Sequence, residues 1–205
     1  MTPAAPGAAV AVHPAQRQRP RPLFDLAVVG DSLTYAGYEP LSEAITSAGW
    51  RAHIDGLPSR SISYPTDVAY SAVDQVAAIK RLGIDPATWL VELGTNDLYF
   101  IVHCQCPDQR QAAIDRIRLM LAAIGPGRRI IWVGVQNFEY PIATTLFNDV
   151  LEELVTTGEI SAIVDWESLS TDKRRDWFVD TAHLSDDGYI AWVPAVVEAL
   201  GDPPT

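Results

Sequence analysis

Five short runs rich in valine and isoleucine recur along this chain, separated by longer segments whose apolar residues fall at helical spacing. The runs are "FDLAVVG" (24–30), "RAHID" (51–55), "TWLVELG" (88–94), "RIIWVGV" (129–135) and "SAIVDW" (161–166). Most are apolar almost continuously, which is the pattern of strands buried on both faces of a parallel sheet. Helices are expected over 39–48, 65–82, 107–124, 143–156 and 185–199, where apolar side chains share one stripe. Ile114, Ile117, Leu121 and Ile124 make such a stripe, and Gly125, Pro126 and Gly127 stop it. The alternation predicts an α/β fold of three layers, a five-stranded parallel sheet between helices. Each run ends at a polar or glycine-bearing loop, and in open α/β sheets those loops build the site.

A chain of 205 residues with 48% apolar side chains has material for one substantial core. Residues 1–22, with five prolines and many alanines, read as a disordered tail, and 23–205 as one domain. The tail has no basic residue ahead of its short apolar run and is a poor secretory signal, so a cytoplasmic location is favoured. Secretion follows instead if the start is trimmed or misassigned. No stretch reaches the ~20 apolar residues that span a bilayer. The net charge is −11, and beyond the three arginines of the tail 12 basic side chains face 26 acidic ones. Such a surface repels phosphate backbones and excludes nucleic acid as a partner. Cys104 and Cys106, one residue apart, would close only a tiny loop if bridged. With His103 as the one neighbour and no second Cys/His cluster, they are expected to be incidental thiols, not a metal site. No metal or other cofactor is expected.

Ser32 in "AVVGDSLTYAG" (27–37) falls just past the first strand, where the chain must turn and Gly30 removes side-chain bulk. Gly-Asp-Ser is also ordinary turn chemistry, with Asp31 as a helix cap. In "VDTAHLSDDGY" (179–189), Asp180 and His183 lie three apart ahead of the last helical segment. A serine hydroxyl needs a base to take its proton, and an imidazole serves best when a carboxylate fixes its tautomer. In "ELGTNDLYF" (92–100), the Asn96 amide at the end of the third strand could donate to an oxyanion, or close an Asx turn.

Together and in this order, "VVGDSLT", "LGTND" and "DTAHLSDDGY" resemble the blocks of the SGNH hydrolases, also called the GDSL esterase/lipase family. The resemblance covers most of 24–200 and implies a flavodoxin-like SGNH hydrolase fold. It implies Ser32 as nucleophile, His183 as general base and then acid, Asp180 as its orienting carboxylate, and Asn96 with the Ser32 backbone N–H as oxyanion donors. The family's second block supplies a further oxyanion N–H from a glycine after the second strand. Here "IDGLPSRSI" offers either Gly56 or Ser59, the latter before Arg60 as in the family's G-R pattern; a serine could serve unless φ is positive. Asn148 and the Asp165–Trp166 pair resemble SGNH domains of actinobacterial and cell-wall O-acyl enzymes, a lean toward a small acyl group on a carbohydrate.

The expected activity is therefore a serine esterase acting on short-chain, carbohydrate-like or other small-molecule esters through an acyl-enzyme. An O-acyltransferase with the same triad is the nearest alternative. Another is a catalytically silent glycan-binding domain whose pocket is occluded by "YFIVHCQCPDQ". An α/β-hydrolase would need G-x-S-x-G deep in the chain, which is missing. Tyr35, Tyr38, Tyr99, Phe100, Phe138 and Tyr140 gather around the strand-end loops as candidate pocket walls. Arg60 could meet an anionic substrate group, but a surface ion pair is the role expected of it in so acidic a chain. Asp97 is expected to cap a turn, and Trp132, Trp166 and Trp192 to lie in the core.

Overall fold

The computed structural model describes residues 23–66 and 69–204; the tail expected over 1–22 lies outside the described residues. Its strands are β1 (Leu26–Gly30), β2 (Ala52–Gly56), β3 (Thr88–Glu92), β4 (Arg129–Val133) and β5 (Ala162–Val164). They form one sheet in the order β2-β1-β3-β4-β5, and every pairing is parallel. Gly30 stands opposite both Gly56 and Glu92, so three strands end level at one edge.

Successive strand residues face opposite sides, and the core divides accordingly. Val29, Trp89, Val91, Ile130 and Trp132 pack on one face, and Leu26, Val28, Leu90, Ile131 and Val133 on the other. The first face is covered by α3 (Ala72–Arg81), α5 (Gln109–Ile124) and α6 (Pro141–Thr156), through Val76, Ile117 and Phe147 among others. The second is covered by α2 (Tyr38–Ser47) and α9 (Asp186–Leu200), through Leu41, Ile45, Trp192 and Val196. Trp132, Trp166 and Trp192 are all in this core. Each large apolar side chain so buried contributes roughly 1.5–3 kcal/mol, whereas exposed ion pairs such as Arg118–Glu159 are screened by water and add little. Burial against the two faces therefore dominates.

The expected helices differ most at their beginnings. The one expected from residue 65 starts at Ala72, because Ser71 caps it by accepting from the Asp74 N–H. Likewise Asp108 accepts from Gln111 N–H and starts α5, and Ser185 accepts from Gly188 N–H and starts α9. Four short helices were not expected: α1 (Ser32–Ala36), α4 (Asp97–His103), α7 (Trp166–Ser170) and α8 (Arg174–Trp177). They are four to seven residues long, too short to show a period. Among the described residues no helix is long and apolar enough to cross a membrane.

Candidate active site

The level edge of β1, β2 and β3 carries three junctions that converge. At the first, Asp31 N-caps α1 by accepting from Leu33 N–H at 3.0 Å, which leaves Ser32 as the first helical residue. The second is where β3 gives way to Thr95 and Asn96 ahead of α4. The third is a hairpin-like loop before α9, closed by the antiparallel bridge of Phe178 with Leu184 and by Val179 N–H donating to the His183 carbonyl. Phe138 N–H donates to the Thr181 carbonyl and ties this loop to the segment after β4.

Within that loop Asp180 Oδ1 accepts from the N–H groups of Ala182 and His183, at 2.8 and 2.7 Å. Its Oδ2 lies 2.7 Å from His183 Nδ1. His183 Nε2 in turn lies 3.0 Å from Ser32 Oγ, across 151 positions of sequence. Burial pushes the Asp180 carboxyl up, but the two backbone donors and the His183 ring outweigh it and leave it below its ordinary value. Both Asp180 and His183 have side chains about half exposed, at 52% and 50%. The pair is therefore open to solvent.

Asn96 lies in the same small cavity as these three residues. Its Nδ2 donates to Asp31 Oδ2 at 3.1 Å and to the Arg60 carbonyl at 3.0 Å. The cavity, of about 200 Å³, is also lined by Thr95, Tyr99, Asn137, Tyr140, Thr181 and Ala182. Of the candidate pocket walls, Tyr99 and Tyr140 are there. Tyr35 instead opens on a separate depression with Tyr38, and Phe138 packs edge-on against Phe178 under the Arg174 guanidinium.

Arg60 departs from expectation more sharply. It is 2% exposed, donates to the carbonyls of Gly30 and Asp55, and pairs with Asp55 Oδ1 at 2.7 Å. A guanidinium so held binds the ends of β1 and β2 together, and its place in the depression with Tyr35 and Tyr38 is apart from the Ser32 cavity. Ser59, next to it, has φ +62, the one non-glycine with positive φ among the described residues. Its backbone is therefore not ordinary. Gly56 is fixed by close approach: a Cβ there would stand 2.4 Å from Tyr35 N, on the backbone of α1.

Asn148 bonds the Val135 backbone and Glu167, and Asp165 caps α7; both serve the scaffold behind the cavity. Cys104 and Cys106, expected as thiols, are joined by a disulfide; their Cα atoms are 5.1 Å apart, within the span a bridge allows. Among the described residues no cluster of three or more His, Cys, Asp or Glu could hold a metal ion.

Sixty-three chains of known structure match this architecture. The C-terminal catalytic domain of Streptococcus pneumoniae peptidoglycan O-acetyltransferase A superposes with a TM-score of 0.65 at 16% identity, over 86% of this chain and 92% of that one. A member of the lipolytic G-D-S-L family from Veillonella parvula gives 0.65 at 12% identity, over 84% and 96%. This is the SGNH hydrolase fold. An acetylxylan esterase from Geobacillus stearothermophilus shares it, with a TM-score of 0.63 at 11% identity over 87% and 94%. No protein-family model matches the chain, and no curated protein sequence matches it significantly. Asn137, Thr181 and Ala182 line the cavity without having been singled out in the sequence, and Glu92, likewise unforeseen, bonds the turn beneath Ser32. Glu92 alone left a signal, a carboxylate in an otherwise apolar strand.

Proposed function

We propose that this chain is a serine esterase that removes a short acyl group through an acyl-enzyme on Ser32. The observation that carries the reading is the continuous line from Ser32 Oγ through His183 to Asp180, at 3.0 and 2.7 Å, with Asn96 in the same cavity. His183, holding its Nδ1 proton toward Asp180, accepts the Ser32 proton at Nε2 as Oγ attacks the ester carbonyl. The charge that develops on the carbonyl oxygen is met by the Ser32 N–H and by one N–H of Asn96 turned from its present acceptor. His183 then protonates the departing alcohol, and the same base activates water to release the acid.

Ser59 is the third donor in this reading, although its φ of +62 is not the ordinary geometry that a serine was expected to need. Its left-handed backbone is the conformation that glycine adopts freely, and the family's second block has a glycine before Arg. The small cavity favours acetyl-sized groups, and Tyr99 and Tyr140 offer flat walls to a sugar ring. Neighbours of the same fold that act on carbohydrate or peptidoglycan acyl groups support this lean. The half-exposed His183 speaks against an occluded, silent site. It also leaves room for an acceptor hydroxyl in place of water, so products with and without an added sugar separate esterase from acyltransferase.

Ser32→Ala is expected to abolish turnover of p-nitrophenyl acetate and labelling by a fluorophosphonate with an unchanged circular dichroism spectrum. Retained turnover overturns the assignment. In the parent protein turnover should fall along the aryl ester series from acetate to decanoate.

A further inference from the structure

Beneath Ser32 lies a pair of carboxyl groups that the esterase reading leaves unused. Asp31 and Glu92 are 0% and 3% exposed, and their side chains are within hydrogen-bonding reach of each other. Glu92 Oε2 accepts from Asp31 N–H at 3.1 Å, Thr34 N–H at 3.1 Å and Thr34 Oγ1–H at 2.8 Å. Asp31 accepts from Leu33 N–H on Oδ1 and from Asn96 Nδ2–H on Oδ2. The pair thus touches both the turn that carries Ser32 and the amide proposed for the oxyanion.

Two carboxylates enclosed together cannot both ionise cheaply, because each lacks water and repels the other. Arg60 and His183 face Asp31 with favourable potential. Tyr189, whose hydroxyl donates to the Leu33 carbonyl, feels both carboxyls, and Asp97, beside Arg116, feels the charge of Asp31. The compensation is incomplete. Burial raises Asp31 to about 6, while burial and then the charge of Asp31 push Glu92 well above the carboxylate range. Of the two carboxyls, Glu92 is thus the one favoured to keep a proton, because it is enclosed and faces the charge of Asp31.

We propose that Glu92 is a positioning residue for the oxyanion site: carrying the shared proton, it donates to Asp31 and so loosens the hold of Asp31 Oδ2 on the Asn96 amide. This rests on the esterase reading for its catalytic consequence, though not for the shared proton. An Asp31 carboxylate already receiving a proton bond is a weaker acceptor for Asn96, whose N–H can then turn to the developing oxyanion. A second negative charge would hold the amide back. Glu92→Gln mimics the protonated state, since its oxygen can take the three donors and its NH₂ can donate to Asp31.

The test combines kinetics with infrared spectroscopy on the full chain. In D₂O at neutral pD the parent chain carrying Asp97→Asn, which removes the carboxyl outside the pair that is raised into that range, should show a protonated-carboxyl band that adding Glu92→Gln abolishes. For p-nitrophenyl acetate, Glu92→Gln should keep kcat within about threefold, while Glu92→Ala should lose about 10- to 100-fold in kcat with KM little changed, a fraction of what an oxyanion donor is worth. Combined with Asn96→Ala, Glu92→Ala should cost almost nothing further. Absence of the band, a Glu92→Gln as slow as Glu92→Ala, or additive losses with Asn96→Ala each overturn the proposal. If Glu92→Ala does not fold, the band and Glu92→Gln decide by themselves. The band in a chain whose parent turns over no ester refutes the esterase reading and supports the shared proton.

Discussion

Asp180 does two jobs with two oxygens, and they can be separated. Oδ1 accepts the N–H groups that shape the loop, and Oδ2 faces the ring of His183. In Asp180→Asn the amide oxygen can keep the loop bonds, while the NH₂ presents a donor to Nδ1 and forces the other tautomer. Turnover of an aryl acetate should fall about 10³- to 10⁴-fold with the thermal midpoint little changed, as expected when orientation and charge compensation are lost together. A loss below tenfold argues against the triad. At this scale the convergence of Ser32, Asn96, Asp180 and His183 on one cavity was legible, because their residue types and their order in the chain resemble a known pattern. Asn137 and Thr181 were not, since amides and hydroxyls are common in loops and only the fold brings these to the cavity. Arg60 makes the ion pair expected of it but makes it in the interior, because exposure is decided by which strands end nearby and no local pattern records that.

The elements show a similar division. Strand positions were legible to within two residues at most ends, because each run is apolar against polar surroundings. Helix starts were legible to the same margin except at α3, where the capping oxygen of Ser71 overrides several residues of apolar periodicity and delays the helix from 65 to Ala72. Gly94 was part of a strand in the sequence reading, yet it lies past the end of β3 with φ +130. A Cβ there would stand 2.6 Å from the Phe147 ring, which reaches across from α6. Gly94→Ala must therefore both strain the backbone and displace a buried aromatic. It should destabilise the chain by about 2–4 kcal/mol in urea melts. Since Thr95 and Asn96 follow directly, kcat should fall as well. An unchanged urea midpoint would show that α6 yields without cost.

For the molecule as a whole, an excess of carboxylates is partly stored inside. Asp97 is fully buried where α4 begins, accepts from Ile62 N–H at 3.0 Å, and lies 3.6 Å from Arg116. It does more than the turn cap expected of it: it ties the loop after β2 to α5. Burial raises it from 3.8 to about 7, more than the Ile62 N–H and Arg116 lower it, and the charge of Asp31 raises it further. Between those two pH values the folded chain binds this proton and the unfolded chain has released it. Stability from this group is thus complete below about pH 4 and is lost as pH rises through about 7. Asp180 and Glu159, held below their ordinary values, contribute in the opposite direction, so the total alone cannot isolate Asp97. Asp97→Asn can, because the amide keeps an acceptor for Ile62 and never ionises, while the other groups remain in both proteins. Urea melts from pH 4 to 8 should show the parent losing roughly 2–4 kcal/mol relative to Asp97→Asn across that range. Parallel curves would mean that Arg116 keeps Asp97 ionised throughout, and that this interior charge is balanced where it stands.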